Sequence, residues 1–180
     1  MKRVAVFLDG ANCFYAQRKM NWYIDVEKLL DYCKSYGDVA EAIYYTGTVA
    51  NGNQKKYYDK LAYIGYSLVT KPVKTIYDHA SGQSIQKANL DVEIVLDMFS
   101  MVDRYDMAIL ISGDGDFERA VQQLKSRGKE VKVISTRECV ANELVYATGV
   151  NYIDMLSIRE IIERKSQSCG IQDVGSETAA

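Results

Sequence analysis

The segment Ser112-Gly113-Asp114-Gly115-Asp116 sets two carboxylates among small residues directly after the apolar run 108–111. A short apolar run bounded by turn residues is the pattern of a strand buried on both faces. The residues that follow place Phe117, Ala120, Val121 and Leu124 on one helical face, predicting a helix over 117–127. Asp114 and Asp116 therefore stand where a buried strand gives way to a helix, the crevice in which open α/β sheets bind their ligands. Two acids held that close repel each other unless a proton or a cation lies between them.

Further acids join this pair if the sheet is parallel. Asp9 ends a second apolar run, 4–8, and opens the turn Asp9-Gly10-Ala11-Asn12. In a parallel sheet every strand points the same way, which brings Asp9, Asp114 and Asp116 to one edge. The predicted helix 88–102 carries Val95, Met98, Phe99 and Val102 inward, and Asp91 falls on that inward face one and two turns before Val95 and Met98. A carboxylate on the apolar side of a helix is costly unless it is paired or bound to metal. Glu93 and Asp97 fall on another face and read as solvated acids. Each acid could instead cap a helix N-terminus, as Asp9 and Asp116 could do alone. Convergence of Asp9, Asp91, Asp114 and Asp116 points instead to a catalytic metal site, and oxygen-only ligands favour Mg²⁺ or Mn²⁺ over zinc. Asn12 and Ser112 are small polar neighbours that could position a water or an acid, or serve as turn former and strand-end cap. Lys87, one helical turn before Asp91, either pairs with it or holds a phosphate beside the metal.

The elements that must position these residues follow from periodicity. Strands are expected at 4–8, 39–45, 66–73, 108–111, 129–135 and 152–155. A helical turn is expected at 14–20. Helices are expected from Asp25 to Gly37, from 51 to Gly65, and over 88–102, 117–127, 138–147 and 158–164. The stretch 74–86, without a clear period, reads as a loop or small hairpin at the sheet's edge. Alternating strands and helices mean βαβ crossovers, hence a mainly parallel sheet covered on both faces. The domain spans 1–164, and the polar, patternless 165–180 is expected to be a disordered tail.

Composition narrows the function classes. A chain of 180 residues, 48% apolar and 26% charged, is long enough for one domain with a sizeable core. Its net charge of −2 gives no global basic character, so a nucleic-acid partner must be held by a local patch. No apolar run approaches the roughly 20 residues of a membrane span. The chain enters a strand too soon after Met1 for a signal peptide, so the expected location is the cytoplasm. Cys13, Cys33, Cys139 and Cys169 lack zinc-ligand spacing and are expected to stay reduced, with Cys33 in the core. The single histidine, His79, excludes chemistry that needs two imidazoles. Neither a Gly-x-Gly-x-x-Gly nor a P-loop pattern stands where a strand meets a helix.

Three motifs occur in order: Phe7-Leu8-Asp9-Gly10-x-Asn12, Lys87-Ala88-Asn89-Leu90-Asp91 and Ser112-Gly113-Asp114-Gly115-Asp116-Phe117. Together they resemble the NYN domains of the PIN-like nuclease superfamily, and most closely the bacterial LabA-like (DUF88) subgroup, over roughly residues 2–163. The resemblance implies a three-layer PIN-like α/β/α sandwich and Mg²⁺- or Mn²⁺-dependent ribonuclease activity. It maps the family's acids onto Asp9, Asp91, Asp114 and Asp116, with Asn12 and Ser112 as neighbours. Where many members carry a further acid, after the alanine matching Ala147, this chain has Thr148. Several LabA-like proteins are associated with regulation.

Read with the resemblance, the quartet would hold one or two metal ions to hydrolyse phosphodiester bonds of single-stranded RNA. Lys55, Lys56 and Lys60, with Lys71, Lys74 and Lys87, could grip the backbone, and Tyr57, Tyr58 and Tyr63 could stack on bases. The same residues also suit a solvated face with packed tyrosines. A non-catalytic RNA- or protein-binding regulator that keeps the metal site is the alternative. An edge strand offers a route to a homodimer. A haloacid-dehalogenase-type phosphatase fits poorly, because the second acid it needs two residues after the nucleophile is here Ala11.

Overall fold

The computed structural model describes residues 1–48, 54–78 and 83–165, with segments 74–78 and 83–87 described by their backbone alone. In chain order its elements are β1 (Arg3–Asp9), α1 (Gly10–Met20), α2 (Val26–Lys34), β2 (Asp38–Thr48), α3 (Lys55–Ile64), β3 (Ser67–Pro72), β4 (Lys74–Asp78), β5 (Gln83–Lys87) and α4 (Asp91–Ser100). The second half adds β6 (Met107–Ile111), α5 (Glu118–Ser126), β7 (Glu130–Ser135), α6 (Asn142–Thr148), β8 (Tyr152–Asp154) and α7 (Arg159–Ile162). Six strands form one parallel sheet in the order β3-β2-β1-β6-β7-β8. The chain runs outward from β1 to β3, then returns to place β6 against the other side of β1. That reversal makes the β1–β6 seam the topological switch point of the sheet.

The sheet is buried on both sides, which is why its central strands are almost wholly apolar. Val4, Val6, Leu8, Ile109 and Ile111 pack with Cys13, Leu29, Leu30, Cys33, Leu61 and Ile162 from α1, α2, α3 and α7. Alternate residues Phe7, Ala108 and Leu110 pack with Ile94, Met98, Val121, Leu124 and Leu144 from α4, α5 and α6. The result is a three-layer α/β/α sandwich. Cys13 joins Cys33 in the core, and burial pushes the Cys33 thiol up to about 12. Among the described residues no helix is long and apolar enough to cross a membrane.

Several boundaries differ from the sequence reading, each for a local reason. α1 starts directly at Gly10, because the Asp9 carboxylate caps it by accepting from the Asn12 N–H at 3.0 Å. α4 starts only at Asp91. The Asn89 side-chain oxygen takes the Asp91 N–H at 2.9 Å and keeps 88–90 out of the helix. α6 starts at Asn142 instead of 138, since the Ala141 N–H is drawn to the Gly113 carbonyl at 2.9 Å. The final helix is a 3-10 turn, Met155–Ile158, followed by the short α7. The hairpin of β4 and β5 pairs only within itself, so it is a separate two-stranded sheet and not an edge of the main one. The segment 51–53, His79 and the tail beyond Lys165 lie outside the described residues.

Gly10 shows how tightly the first crossover is packed. A Cβ there would lie 2.7 Å from both Tyr44 Cε1 and the Tyr45 carbonyl oxygen. Gly10→Ala is therefore expected to lower stability by about 1–3 kcal/mol, the usual range for overpacking. Urea unfolding reads this as a lower midpoint at an unchanged slope; an unchanged midpoint would contradict the packing.

Candidate metal centre

The β1–β6 register pairs Leu8 with Ile111, so the next residue on each strand, Asp9 and Ser112, emerge side by side at the carboxyl edge. Both are buried there. Ser112 Oγ donates to Asp9 Oδ2 at 3.1 Å and accepts from the Asp114 N–H at 3.3 Å. Asp114 Oδ1 in turn accepts from the Asp116 N–H at 3.1 Å, closing the 3-10 turn Gly115–Phe117 that leads into α5. Asn12 Oδ1 accepts from the Gly113 N–H at 2.9 Å and ties the start of α1 to the same loop. Burial pushes the Asp9 carboxyl above its ordinary range; hydrogen bonds from Asn12, Ser112 and Ala11 oppose this, and the nearby Asp114 charge adds to it.

Asp91, Asp114 and Asp116 come together in front of Asp9. Each offers a carboxylate oxygen within 4.8 Å of the other two. Asp91 is half-buried and is the first residue of α4, at the helix rim rather than along an inward stripe as the periodicity suggested. The helix N-terminus favours its charge. Burial still raises its pKa, and the charges of Asp114, Asp9 and Asp116 raise it further. Asp9 is not part of the close trio: both of its oxygens are engaged behind it. None of the four acids forms an ion pair among the described residues. Three hard oxygen donors with no ion-pair partner among the described residues suit a divalent ion such as Mg²⁺ or Mn²⁺.

The supporting residues sort differently from the sequence reading. Ser112 is 1% exposed and serves Asp9 and the Asp114 turn, the acid-positioning role the sequence allowed it. Lys71 is not a free phosphate-gripping cation. Its Nζ bonds Glu93 Oε1 at 2.6 Å and the Asn89 carbonyl at 3.0 Å, bracing the entry to α4. Glu93 and Asp97 are not solvated acids either, since Asp97 accepts from the buried Tyr45 hydroxyl at 2.9 Å. Lys55 and Lys56 are exposed in the first turn of α3. Lys74 and Lys87 pair in register across the hairpin, and their side chains lie outside the described residues. Thr148 is buried and returns its hydroxyl to the Leu144 carbonyl at 2.7 Å, so it adds no ligand. Asn89 is the residue that sequence reasoning passed over, although an Asn two places before a helical Asp is the pattern of an Asx turn.

A cluster of acids without an ion-pair partner among the described residues, at the switch point of a parallel α/β/α sandwich, is a candidate site for a divalent metal ion. The chain belongs to the NYN domain family, whose model matches residues 3–157. It is 42% identical over 165 residues, 90% of this chain and 88% of the other, to the low amplitude and bright protein LabA of Synechococcus elongatus. An uncharacterised protein of Methanocaldococcus jannaschii is 25% identical over 134 residues, 73% of this chain but 47% of its own length. A crystal structure of a Vibrio parahaemolyticus protein of unknown function superposes with a TM-score of 0.73 at 22% identity, covering 86% of this chain and 93% of that one, and shares the fold.

The raised carboxyls give metal binding a defined pH signature. A carboxyl raised in the folded state makes its charged form cost stability at neutral pH. That cost disappears as pH falls through the raised range and the acid takes up a proton. A divalent ion offsets the same cost only while the acids are charged. Mn²⁺ at roughly a hundredfold its Kd is expected to stabilise by about 2.7 kcal/mol at pH 7, a Tm rise of roughly 5–10 °C. The rise should shrink as pH falls toward the ordinary carboxylate range. Differential scanning fluorimetry of wild type and Asp116→Asn checks this, and an equal Mn²⁺ shift in both would remove Asp116 from the site.

Proposed function

We propose that this protein is a metal-dependent ribonuclease that hydrolyses phosphodiester bonds of single-stranded RNA. The observation that carries the proposal is the approach of Asp91, Asp114 and Asp116 within 4.8 Å of one another, with no ion pair to any of them among the described residues. Membership of the NYN family supports it. In this reading the three carboxylates hold Mg²⁺ or Mn²⁺. Such an ion, when bound, stabilises negative charge developing on the phosphoryl oxygens and lowers the pKa of nearby water.

The chain's own residues supply the rest by placement. Asp9 sets a fixed carboxylate beside the Asp114 loop, its two oxygens accepting from the Asn12 N–H and the Ser112 hydroxyl. Ser112 fixes Asp9 and the Asp114 turn in one geometry, and Asn12 locks the loop onto α1. Water attacks phosphorus and gives up a proton, the bond to the leaving ribose oxygen breaks, and that oxygen takes up a proton, so the protons balance. No protein nucleophile is needed, which suits a site built without histidine among its described residues.

The test is hydrolysis of a single-stranded RNA by wild type, Asp114→Asn and Ser112→Ala with Mn²⁺. Asp114→Asn is expected to lower the rate by more than about a hundredfold. Ser112→Ala, which only positions the acids, should lower it by about tenfold, within the range for groups that orient ligands. Equal rates in wild type and Asp114→Asn would overturn the assignment. RNA bound by wild type without turnover would assign instead a regulator that keeps the acids as a metal-stabilised scaffold.

A further inference from the structure

A cleft of about 470 Å³ opens beside the acids, between α1, the end of β2 and the start of α3. Its floor includes Gly10 and Ala11, which directly follow Asp9, and Ala88, which enters α4 just before Asp91. Its walls are aromatic. Phe14 is 54% exposed, Tyr15 60% and Tyr57 42%. Phe14 and Tyr15 stand edge to face, with centroids 5.7 Å apart and planes at 73°. The Arg18 guanidinium lies over the Phe14 ring, 5.8 Å from its centroid. Tyr57 is held upright against Tyr44 at 6.1 Å and 81°, and its hydroxyl donates to that of Tyr44 at 3.2 Å. Three rings left exposed around one concavity give up burial that the chain could have used elsewhere.

The cleft continues. A second hollow of about 200 Å³ shares Gln17 and Tyr57 with the first and ends at Lys60 and Arg164. Gln17 is fixed between the two, its Oε1 accepting from the Ile24 N–H at 2.7 Å. Among the described residues neither Lys60 nor Arg164 forms an ion pair. Arg164 is near enough to act electrostatically on the Tyr57 hydroxyl. The order along the surface is thus carboxylates, rings, then cations.

We propose that this groove is the track of a single RNA strand, with unpaired bases stacking on Phe14, Tyr15 and Tyr57 and a downstream phosphate held by Lys60 and Arg164. The assignment rests on the nuclease reading for the end of the strand that meets the acids. Exposed rings can stack with any base, and cations spaced beyond them take the backbone, the combination that sequence-tolerant single-strand channels use. A duplex keeps its bases stacked inside and cannot present them to the rings. A cleft of this size is in the range of small-ligand sites.

Fluorescence anisotropy with a labelled oligouridylate of roughly ten nucleotides, a typical single-strand site length, tests the track. An abasic strand of the same length serves as the control. Phe14→Ala with Tyr15→Ala is expected to weaken oligouridylate binding by about 30-fold or more, from roughly 1–3 kcal/mol for each of two stacked bases. It should leave the weaker binding of the abasic strand unchanged. Lys60→Ala with Arg164→Ala should weaken both strands and flatten the slope of log K against log salt by about 0.7, the value for the one phosphate they share. These four side chains are exposed, and Mn²⁺ binding by calorimetry should match wild type in both variants, confirming a folded acid site. Equal affinity of wild type for the abasic and base-bearing strands, or wild-type affinity in both variants, would overturn the track. Loss of hydrolysis in Asp114→Asn with strand binding retained bears only on the nuclease reading, so the two can fail separately.

Discussion

Parallel pairing of β1 with β6 is the constraint on which the site depends. The two strands are about a hundred residues apart in the chain, yet their pairing puts Asp9 beside Ser112 at the sheet's edge. Side chains alternate across a strand, so a slip of one residue would carry Asp9 or Ser112 to the opposite face of the sheet and break the bond between them. The pairing is secured from both sides by fully buried residues, Leu8 and Ile111 against one layer of helices, Phe7 and Leu110 against the other. The energy that fixes the acids thus comes from apolar burial far larger than their mutual repulsion.

The repulsion is contained by hydrogen bonds directed at the carboxylates. Asp9 survives burial because Asn12 and Ser112 donate to it, and Asp114 accepts from the turn it opens. A buried charge is tolerated when its lone pairs are satisfied. The trio in front lacks such donors in number, and a divalent ion is the partner that its geometry suits. The stability lost in holding these acids together is the electrostatic potential that binding would use.

The fourth wall comes from the other edge of the sheet. Lys71, on the edge strand β3, reaches Glu93 and the Asn89 carbonyl, and Asn89 sets where α4 begins. Tyr45 on β2 holds Asp97 one turn further along the same helix. Asp91 is therefore placed by struts from two strands, and the helix dipole supports it from below. The aromatic cleft lies elsewhere, between the end of β2 and the helices α1 and α3.

Residue order alone determined much of this protein. The apolar runs at 4–8 and 108–111 read as two-sided buried strands, the alternation of elements read as a parallel sandwich, and the motifs around Asp9, Asp91 and Asp114 read as one family's acids. These features are local or periodic, so a linear string carries them. Tertiary structure alone decided which acids share space: it grouped Asp91, Asp114 and Asp116 and set Asp9 behind them. It also turned Lys71, Glu93 and Asp97 from surface charges into struts, and drew Phe14 and Tyr15 to the same cleft as Tyr57. Those outcomes depend on distances between residues far apart in the chain, set by strand register and helix packing, which no local pattern encodes.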